Sequence, residues 1–267
     1  MPTAEEIIKK FGAVEDDQRY TRLVDLFTPD AIYYDPFMGA QVGTDAIRTF
    51  MGHMEEMVPA AGARFDEWEV CAGTTTAWAK WTMYAKGPNG EVGINGQSIY
   101  RLRDDGDGLK VCFVADYLDS NAYAQLTRDR VPDMTTPASL SKGTSEQGSA
   151  HALISKFWKM QDTRQYAQLA ELFTDDAVFT DQTSGDFVGK EAITAFMNRM
   201  DVEMTARGVS FSLDDCAGDE TVGWSQWTCH LPSGSFPGWT LHKVRDGKFT
   251  LDSDYFDVAQ AAKLRTK

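Results

Sequence analysis

Cysteine and histidine are scarce in this sequence, and basic residues are outnumbered. The four cysteines, Cys71, Cys112, Cys216 and Cys229, form no CxxC pair and no Cys/His cluster. That argues against a zinc site or a disulfide framework and leaves free thiols as the expectation. Lys and Arg total 26 against 40 Asp and Glu, a formal net charge of −14. So acidic a chain is a poor partner for a nucleic-acid backbone or an anionic membrane surface. No apolar run approaches the ~20 residues that span a bilayer. The amino-terminal "MPTAEEIIKK" runs straight into a helical pattern and lacks the form of a secretory leader, so a cytoplasmic chain is expected. Glycine-rich phosphate loops, a GxSxG elbow and metal-ligand spacings are also missing, and neither a cofactor nor a metal is expected.

What is present is 267 residues, 42% hydrophobic and 12% aromatic, enough for two ordinary domains. The sequence also repeats itself. "LFTPDAIYYDPFMG", Leu26 to Gly39, recurs as "LFTDDAVFTDQTSG", Leu172 to Gly185, at an offset of 146. The register extends from Ile8/Ile154 and Phe11/Phe157 through Phe50/Phe196 and Met54/Met200 to Trp78/Trp224 and Trp81/Trp227. A shorter second hairpin then changes the offset to 138, where Asp116-Tyr117 meets Asp254-Tyr255. A repeat of this length means two whole domains. "RDRVPDMTTPASLSKGTSEQG" between them has the Pro, Ser, Thr and Gly content of a linker. Domains are expected at 1–131 and 147–267, joined by 132–146.

Each repeat has the same order of elements. Apolar residues at Ile7, Ile8, Phe11 and Val14, then Leu23, Leu26 and Phe27, predict two amphipathic helices. "DAIYYD" is a short strand, and "VGTDAIRTFMGHMEEMV" a helix capped by Thr44 or Asp45. Four strands follow: "FDEWEVCA", "TAWAKWTMYAK", "GINGQSIYRLR" after a GPNG hairpin, and "LKVCFVADYLD". Helices first and antiparallel strands after is an α+β layout, with a pocket between the sheet and its helical cover.

This order, with "LFTPDAIYYDPFMG", "VGTDAIRTFM" and the closing "ADYLD", resembles the NTF2-like superfamily, and within it the SnoaL-like polyketide cyclases and ketosteroid isomerases. The resemblance implies two tandem cone-shaped α+β barrels, each a curved antiparallel sheet covered by N-terminal helices. It also implies cofactor-independent acid–base chemistry of the cyclase, isomerase or lyase type on a hydrophobic, aromatic or polycyclic small molecule. Because this superfamily commonly dimerises through its sheet, the two halves are expected to pack as an intramolecular pseudo-dimer.

The resemblance nominates residues as well. In the isomerases the Asp of the matching Asp-Pro is the general base, which points to Asp35 and, by repeat, Asp181. Alternatively, an Asp before Pro accepts a nearby backbone N–H and starts a turn. SnoaL-like cyclases carry an acid–base Asp on the last strand, which adds Asp116 and Asp254 and places Val114 and Leu118 on the ligand face. The isomerase oxyanion donors are replaced here by Phe11 and Ser98, and in the second half by Phe157 and Thr240. Tyr20, Tyr33, Phe50, Trp81, Trp227 and His230 complete the expected pocket linings. Glu67 or Glu69 beside Asp35 keeps an epoxide hydrolase open as an alternative, and a non-catalytic ligand-binding or scaffold module is another.

Overall fold

The computed structural model describes residues 2–126 and 148–265, and the chain divides into two compact units, Met1–Ser145 and Glu146–Lys267. The expected linker lies outside the described residues.

Unit 1 opens with helix α1 (Ala4–Asp17), whose start is a capping box: Thr3 Oγ1 accepts from Glu6 N–H while Glu6 accepts from Thr3 N–H. A 3-10 turn (Tyr20–Leu26) leads into β1 (Phe27–Asp35), β2 (Gly39–Val42), helix α2 (Thr44–Ala60), then β3 (Arg64–Ala72), β4 (Thr76–Gly87), β5 (Gly90–Asp104), β6 (Leu109–Leu118) and the short α3 (Ser120–Tyr123). Unit 2 repeats this with α4 (Ser149–Asp162), α5 (Tyr166–Leu169), a 3-10 turn (Ala170–Leu172), β7 (Phe173–Asp181), β8 (Gly185–Val188), α6 (Lys190–Arg207), β9 (Ser210–Gly218), β10 (Val222–Leu231), β11 (Gly234–Arg245), β12 (Lys248–Phe256) and α7 (Val258–Arg265). The duplication reaches the backbone. Left-handed residues recur at Gln18/Arg164, Gly39/Gly185 and Gly43/Gly189.

The sheets run β2-β1-β6-β5-β4-β3 and β8-β7-β12-β11-β10-β9. Two features differ from the expected antiparallel barrel. Each sheet is open and curved, and each is mixed, because β1 lies parallel to β6 and β7 parallel to β12. The long route from β1 to β6 through α2 and four strands permits parallel pairing, which a tight turn does not. Neither Thr44 nor Asp45 caps α2. Gly43 occupies the N-cap at φ 81°, its N–H bonded to Ala31 O, and Gly189 does the same with Ala177 O. Left-handed glycine turns the chain from the edge strand into the helix without the steric cost a Cβ would add.

In unit 1 the core is Ile8, Phe11, Leu23, Phe27, Ile47, Phe50, Met51, Val111 and Val114 with their neighbours; in unit 2 it is Ile154, Phe157, Trp158, Leu169, Phe173, Ile193, Phe196, Met197 and Phe249. Helical period 3.6 and strand period 2 put these residues on facing surfaces, which is why the helices cover one face of each sheet. Among the described residues no helix is long and apolar enough to cross a membrane.

Candidate active site

In unit 1 the helices stop short of filling the sheet. They leave a cavity of about 600 Å³, within the ~300–1,000 Å³ of small-molecule pockets. Of the residues expected there, Phe11, Tyr20, Tyr33, Asp35, Phe50, Trp81, Ser98, Asp116 and Leu118 all line it. Val114 does not. It lies one pleat deeper than Asp116 on the same face, opposite Tyr100, and is sealed into the core.

Asp116 is the centre of the polar end. Tyr33 Oη donates to its Oδ2 at 2.5 Å, Ser98 Oγ to its Oδ1 at 2.6 Å, and Trp81 Nε1 to Ser98 Oγ at 2.9 Å. Register explains the convergence, since Tyr33 on β1 and Ser98 on β5 flank β6 from either side. Trp81 lies flat across the neighbouring strand because its cross-strand partner is Gly96, where a Cβ would overlap the indole. Gly238 gives Trp227 the same room in unit 2.

Burial raises the Asp116 carboxyl to about 7, against the lowering effect of the Ser98 and Tyr33 hydrogen bonds; the charge of Asp35 adds to the rise. Tyr33 is pushed well above its ordinary value, first by burial and then by Asp116, so it stays a donor. Glu67 also lines the cavity and is raised to about 7 by burial. A β-bulge between Glu67 and Glu69 separates these two carboxylates, and Glu69 sits 3.1 Å from Lys80.

Asp35 lies in the cavity wall and serves the turn after β1. Its Oδ1 accepts from Phe37 and Met38 N–H, both at 2.8 Å. In unit 2 Asp181 Oδ1 accepts from Thr183 N–H, Thr183 Oγ1 and Ser184 N–H. The next residue differs in kind: Pro36 is buried in the wall, whereas Gln182 Oε1 reaches across to accept from Phe256 N–H.

Unit 2 keeps the relay but not the space. Trp227 Nε1 donates to Thr240 Oγ1 at 2.8 Å, and Thr240 Oγ1 to Asp254 Oδ1 at 2.5 Å. Phe179 stands where Tyr33 does and can donate nothing. Burial, followed by the charge of Asp252, pushes the Asp254 carboxyl well upward, while Thr240 opposes the rise. The cavity is only about 140 Å³, lined among others by Phe157, Phe179, Asp181, Trp227 and Asp254. One paired substitution accounts for much of the loss. Gly12 of unit 1 leaves room for Glu67, whose Oε1 would lie 3.0 Å from a Cβ there. At the same offset unit 2 has Trp158 and Leu213, and the Trp158 ring packs 5.8 Å from Trp227.

His230 does not line this cavity. It shares strand parity with Gln226 and Thr228, pointing away from the face of Trp227 and Cys229, and its ring bonds Ser212 and Ser235. A second histidine was not visible as a site residue from sequence. His242 Nε2 lies 3.0 Å from Ser225 Oγ and its Nδ1 3.2 Å from Asp252 Oδ2, all three at 0% exposure. In unit 1 these positions hold Ala79, Tyr100 and Val114. Burial pushes His242 down to about 3 and Asp252 well upward, so it favours the neutral form of each. The order Ser–His–carboxylate suits a nucleophile, yet none of the three lines either of the two cavities described above.

A family model described as "SnoaL-like domain" matches residues 8–108 and 154–251. Among solved structures, similar chains include a candidate ketosteroid isomerase from Kribbella flavida DSM 17836 (17% identity, 40% of this chain and 77% of that one, TM-score 0.36). Others are a candidate polyketide cyclase from Xanthomonas campestris pv. campestris (19%, 43% and 96%, TM-score 0.37) and an NTF2-like protein of unknown function from Mesorhizobium loti (17%, 43% and 97%, TM-score 0.37). No curated protein matches.

Proposed function

The chain belongs to the SnoaL-like domain family, and from that premise we propose that unit 1 is a cofactor-independent general acid–base enzyme acting on a hydrophobic, aromatic or polycyclic small molecule. The observation that carries this reading is Asp116, a carboxyl near pH 7 in the wall of a large, mainly apolar cavity. A carboxyl poised there exists as acid and base in comparable amounts, which suits a group that must take a proton and return it. Proton transfer of this kind contributes ~10²–10⁴-fold, the remainder coming from orientation by the aromatic walls.

In this mechanism Asp116 abstracts a proton beside a substrate carbonyl or hydroxyl. Tyr33 and Ser98 hold its two oxygens in place, and Tyr33 and Ser98 also stabilise its charged form. The proton-transfer role falls to Asp116 rather than Asp35, because Asp35 spends Oδ1 on two backbone donors. Asp35 then acts as a neighbouring charge that keeps the Asp116 proton from leaving too early. Unit 2, with its smaller cavity and no counterpart of Tyr33 Oη, is proposed not to turn over this substrate.

The test is deuterium uptake from D2O by a panel of aromatic and polycyclic ketones. Wild type should catalyse exchange beside the carbonyl and Asp116→Asn should lose it by ~10²-fold or more, with Asp35→Asn losing less. Full exchange by Asp116→Asn, or none by wild type, would reject the reading. Glu67 favours a second one. Two near-neutral carboxyls on one cavity supply an acid and a base together, as epoxide opening or cyclisation requires. Hydrolysis of aryl epoxides that depends on both Glu67 and Asp116 would select it.

A further inference from the structure

Among the described residues three carboxyls line the large cavity of unit 1, and they differ in their partners. Asp35 accepts from its own turn, and Asp116 from Tyr33 and Ser98. No hydrogen bond from a described residue reaches Glu67. Lys9, the cation whose charge acts on it, is bonded to Glu5 at 2.5 Å. Glu67 is half-buried, its carboxyl set against α1 where Gly12 leaves room. Unit 2 has Leu213 at this position, so the fold does not require a carboxyl there. An unpaired carboxyl in an apolar wall is costly for folding, which points to a partner that arrives from the cavity.

Strand register places Glu67 far from Asp116. Glu67 pairs across the sheet with Trp81, Trp81 with Gly96, and Gly96 with Leu118, two residues along β6 from Asp116. Three strand spacings of ~4.8 Å put about 14 Å of sheet between β3 and β6, and the curvature brings the side-chain ends closer than that. The Trp81 indole lies between them over Gly96, as a flat floor. Phe11 of α1, with Phe50 and Met54 of α2, supplies apolar surface on the helical side. The space thus suits a flat ring system with one polar group at each end.

We propose that Glu67 is the specificity-determining residue of unit 1, accepting a hydrogen bond from a hydroxyl on a flat fused-ring substrate, at the end remote from the carbon that Asp116 deprotonates. The inference rests on the acid–base reading of unit 1 and narrows its substrate class. A carboxyl accepts from a hydroxyl whether ionised or not, and the ionised form binds it more strongly. Glu67 is then a binding group, in contrast to the second reacting carboxyl of epoxide opening.

The experiment compares 6-hydroxy-2-acetonaphthone with 2-acetonaphthone, which lacks the hydroxyl, in titrations of the full chain at pH 7. Binding is followed by the ¹⁵N-indole signal of Trp81, assigned by its absence in Trp81→Phe. Wild type should bind the hydroxylated ketone about tenfold or more tightly than the other, the worth of a hydrogen bond to a charged group. Glu67→Leu should bind the two equally, and Glu67→Gln, which keeps an acceptor, should retain part of the preference. The remaining indole signals and amide dispersion report whether each variant is folded. In Asp116→Asn the preference should persist, so failure of the acid–base reading is distinguishable from failure of this one. Where exchange is measured, the loss in Glu67→Gln should fall on KM. The proposal is overturned if neither ketone moves the Trp81 signal, if wild type binds both equally, or if Glu67→Leu keeps the preference. Loss of the preference in Asp116→Asn, or loss of exchange at saturating ketone in Glu67→Gln, would overturn it equally.

Discussion

Replacing Asp116 with Asn removes an ionisable group from the wall of the large cavity while keeping its shape. The carboxyl is held at about 7 in the folded chain, against ~3.9 in an unfolded one. Between those values the folded state keeps a proton that the unfolded state has released. Stability therefore falls as pH rises through this window, the reverse of an ordinary salt-bridged carboxylate, and the loss is complete above pH 7. Three pH units at ~1.4 kcal/mol each set a ceiling of roughly 4 kcal/mol, an upper bound because the carboxyl faces a cavity that water can enter. Asn has no proton to lose, so the stability of Asp116→Asn relative to wild type should improve by up to that amount from pH 4 to pH 8. Glu67 titrates in the same range but cancels in the difference, being present in both proteins. Urea unfolding at a series of pH values, followed by the ¹³C-methyl signals of Met51 and Met54, reads unit 1 alone. A difference that stays constant from pH 4 to pH 8 would refute the reasoning, and so would a carboxyl-carbon titration of Asp116 near 4.

Three further outcomes are expected. Tyr33→Phe takes a donor from the ionised form of Asp116 and makes unit 1 resemble unit 2 at that position, so the Asp116 midpoint should move upward from about 7; a carboxyl-carbon titration that moves downward rejects the relay. Gly12→Trp should clash with Glu67 and destabilise unit 1, whereas Gly12→Trp with Glu67→Leu recreates the unit 2 pair. The two changes should couple by ~0.5–3 kcal/mol in a double-mutant cycle and, together, abolish binding of a polycyclic fluorophore. In unit 2, His242→Leu strands the buried Asp252 and Ser225 and should cost about 1–3 kcal/mol. Ser225→Ala with His242→Tyr and Asp252→Val, the residues unit 1 uses, should cost less than that single change in urea unfolding.

Much of the fold was legible because its signals are periodic. The offset from Asp35 to Asp181 survives in side chains and in left-handed backbone alike, and alternation along β6 gives Val114, Asp116 and Leu118 one face, of which Asp116 and Leu118 reach the cavity. What escaped depends on pairing between strands that are distant in sequence. Period two assigns Glu67 and Glu69 to one face, and only the bulge opposite β4 divides them. Tyr33 shows no preference of direction until β1 lies beside β6 and brings its hydroxyl to Asp116. His230 shares its strand parity with Thr228, and that face points away from the cavity, which takes Trp227, Cys229 and Leu231 from the opposite face. Gly12 and Trp158 were readable together, since a small residue opposite a large one in a repeat marks a change in volume, but the consequence needed Glu67 and Leu213 beside them.

The pattern of retained and altered residues separates two kinds of constraint. Asp35 and Asp181 survive in both repeats, and in both the same oxygen satisfies the backbone of the turn that follows the first strand. A role in folding acts on each unit separately, so duplication does not relax it. Donors around Asp116 answer to a different demand. Unit 2 keeps Trp227, Thr240 and Asp254 but has Phe179 for Tyr33, and it fills with Trp158 the space that Gly12 leaves open. If turn formation were the whole role of these carboxyls, nothing would tie the hydroxyl at position 33 to an open cavity. The two features occur together in unit 1 and are lost together in unit 2, as expected if Tyr33 and the cavity serve one substrate. Restoring the hydroxyl alone, by Phe179→Tyr, should therefore lower the Asp254 midpoint without creating exchange activity in unit 2; activity gained from that single change would show that the cavity volume is not the limiting difference.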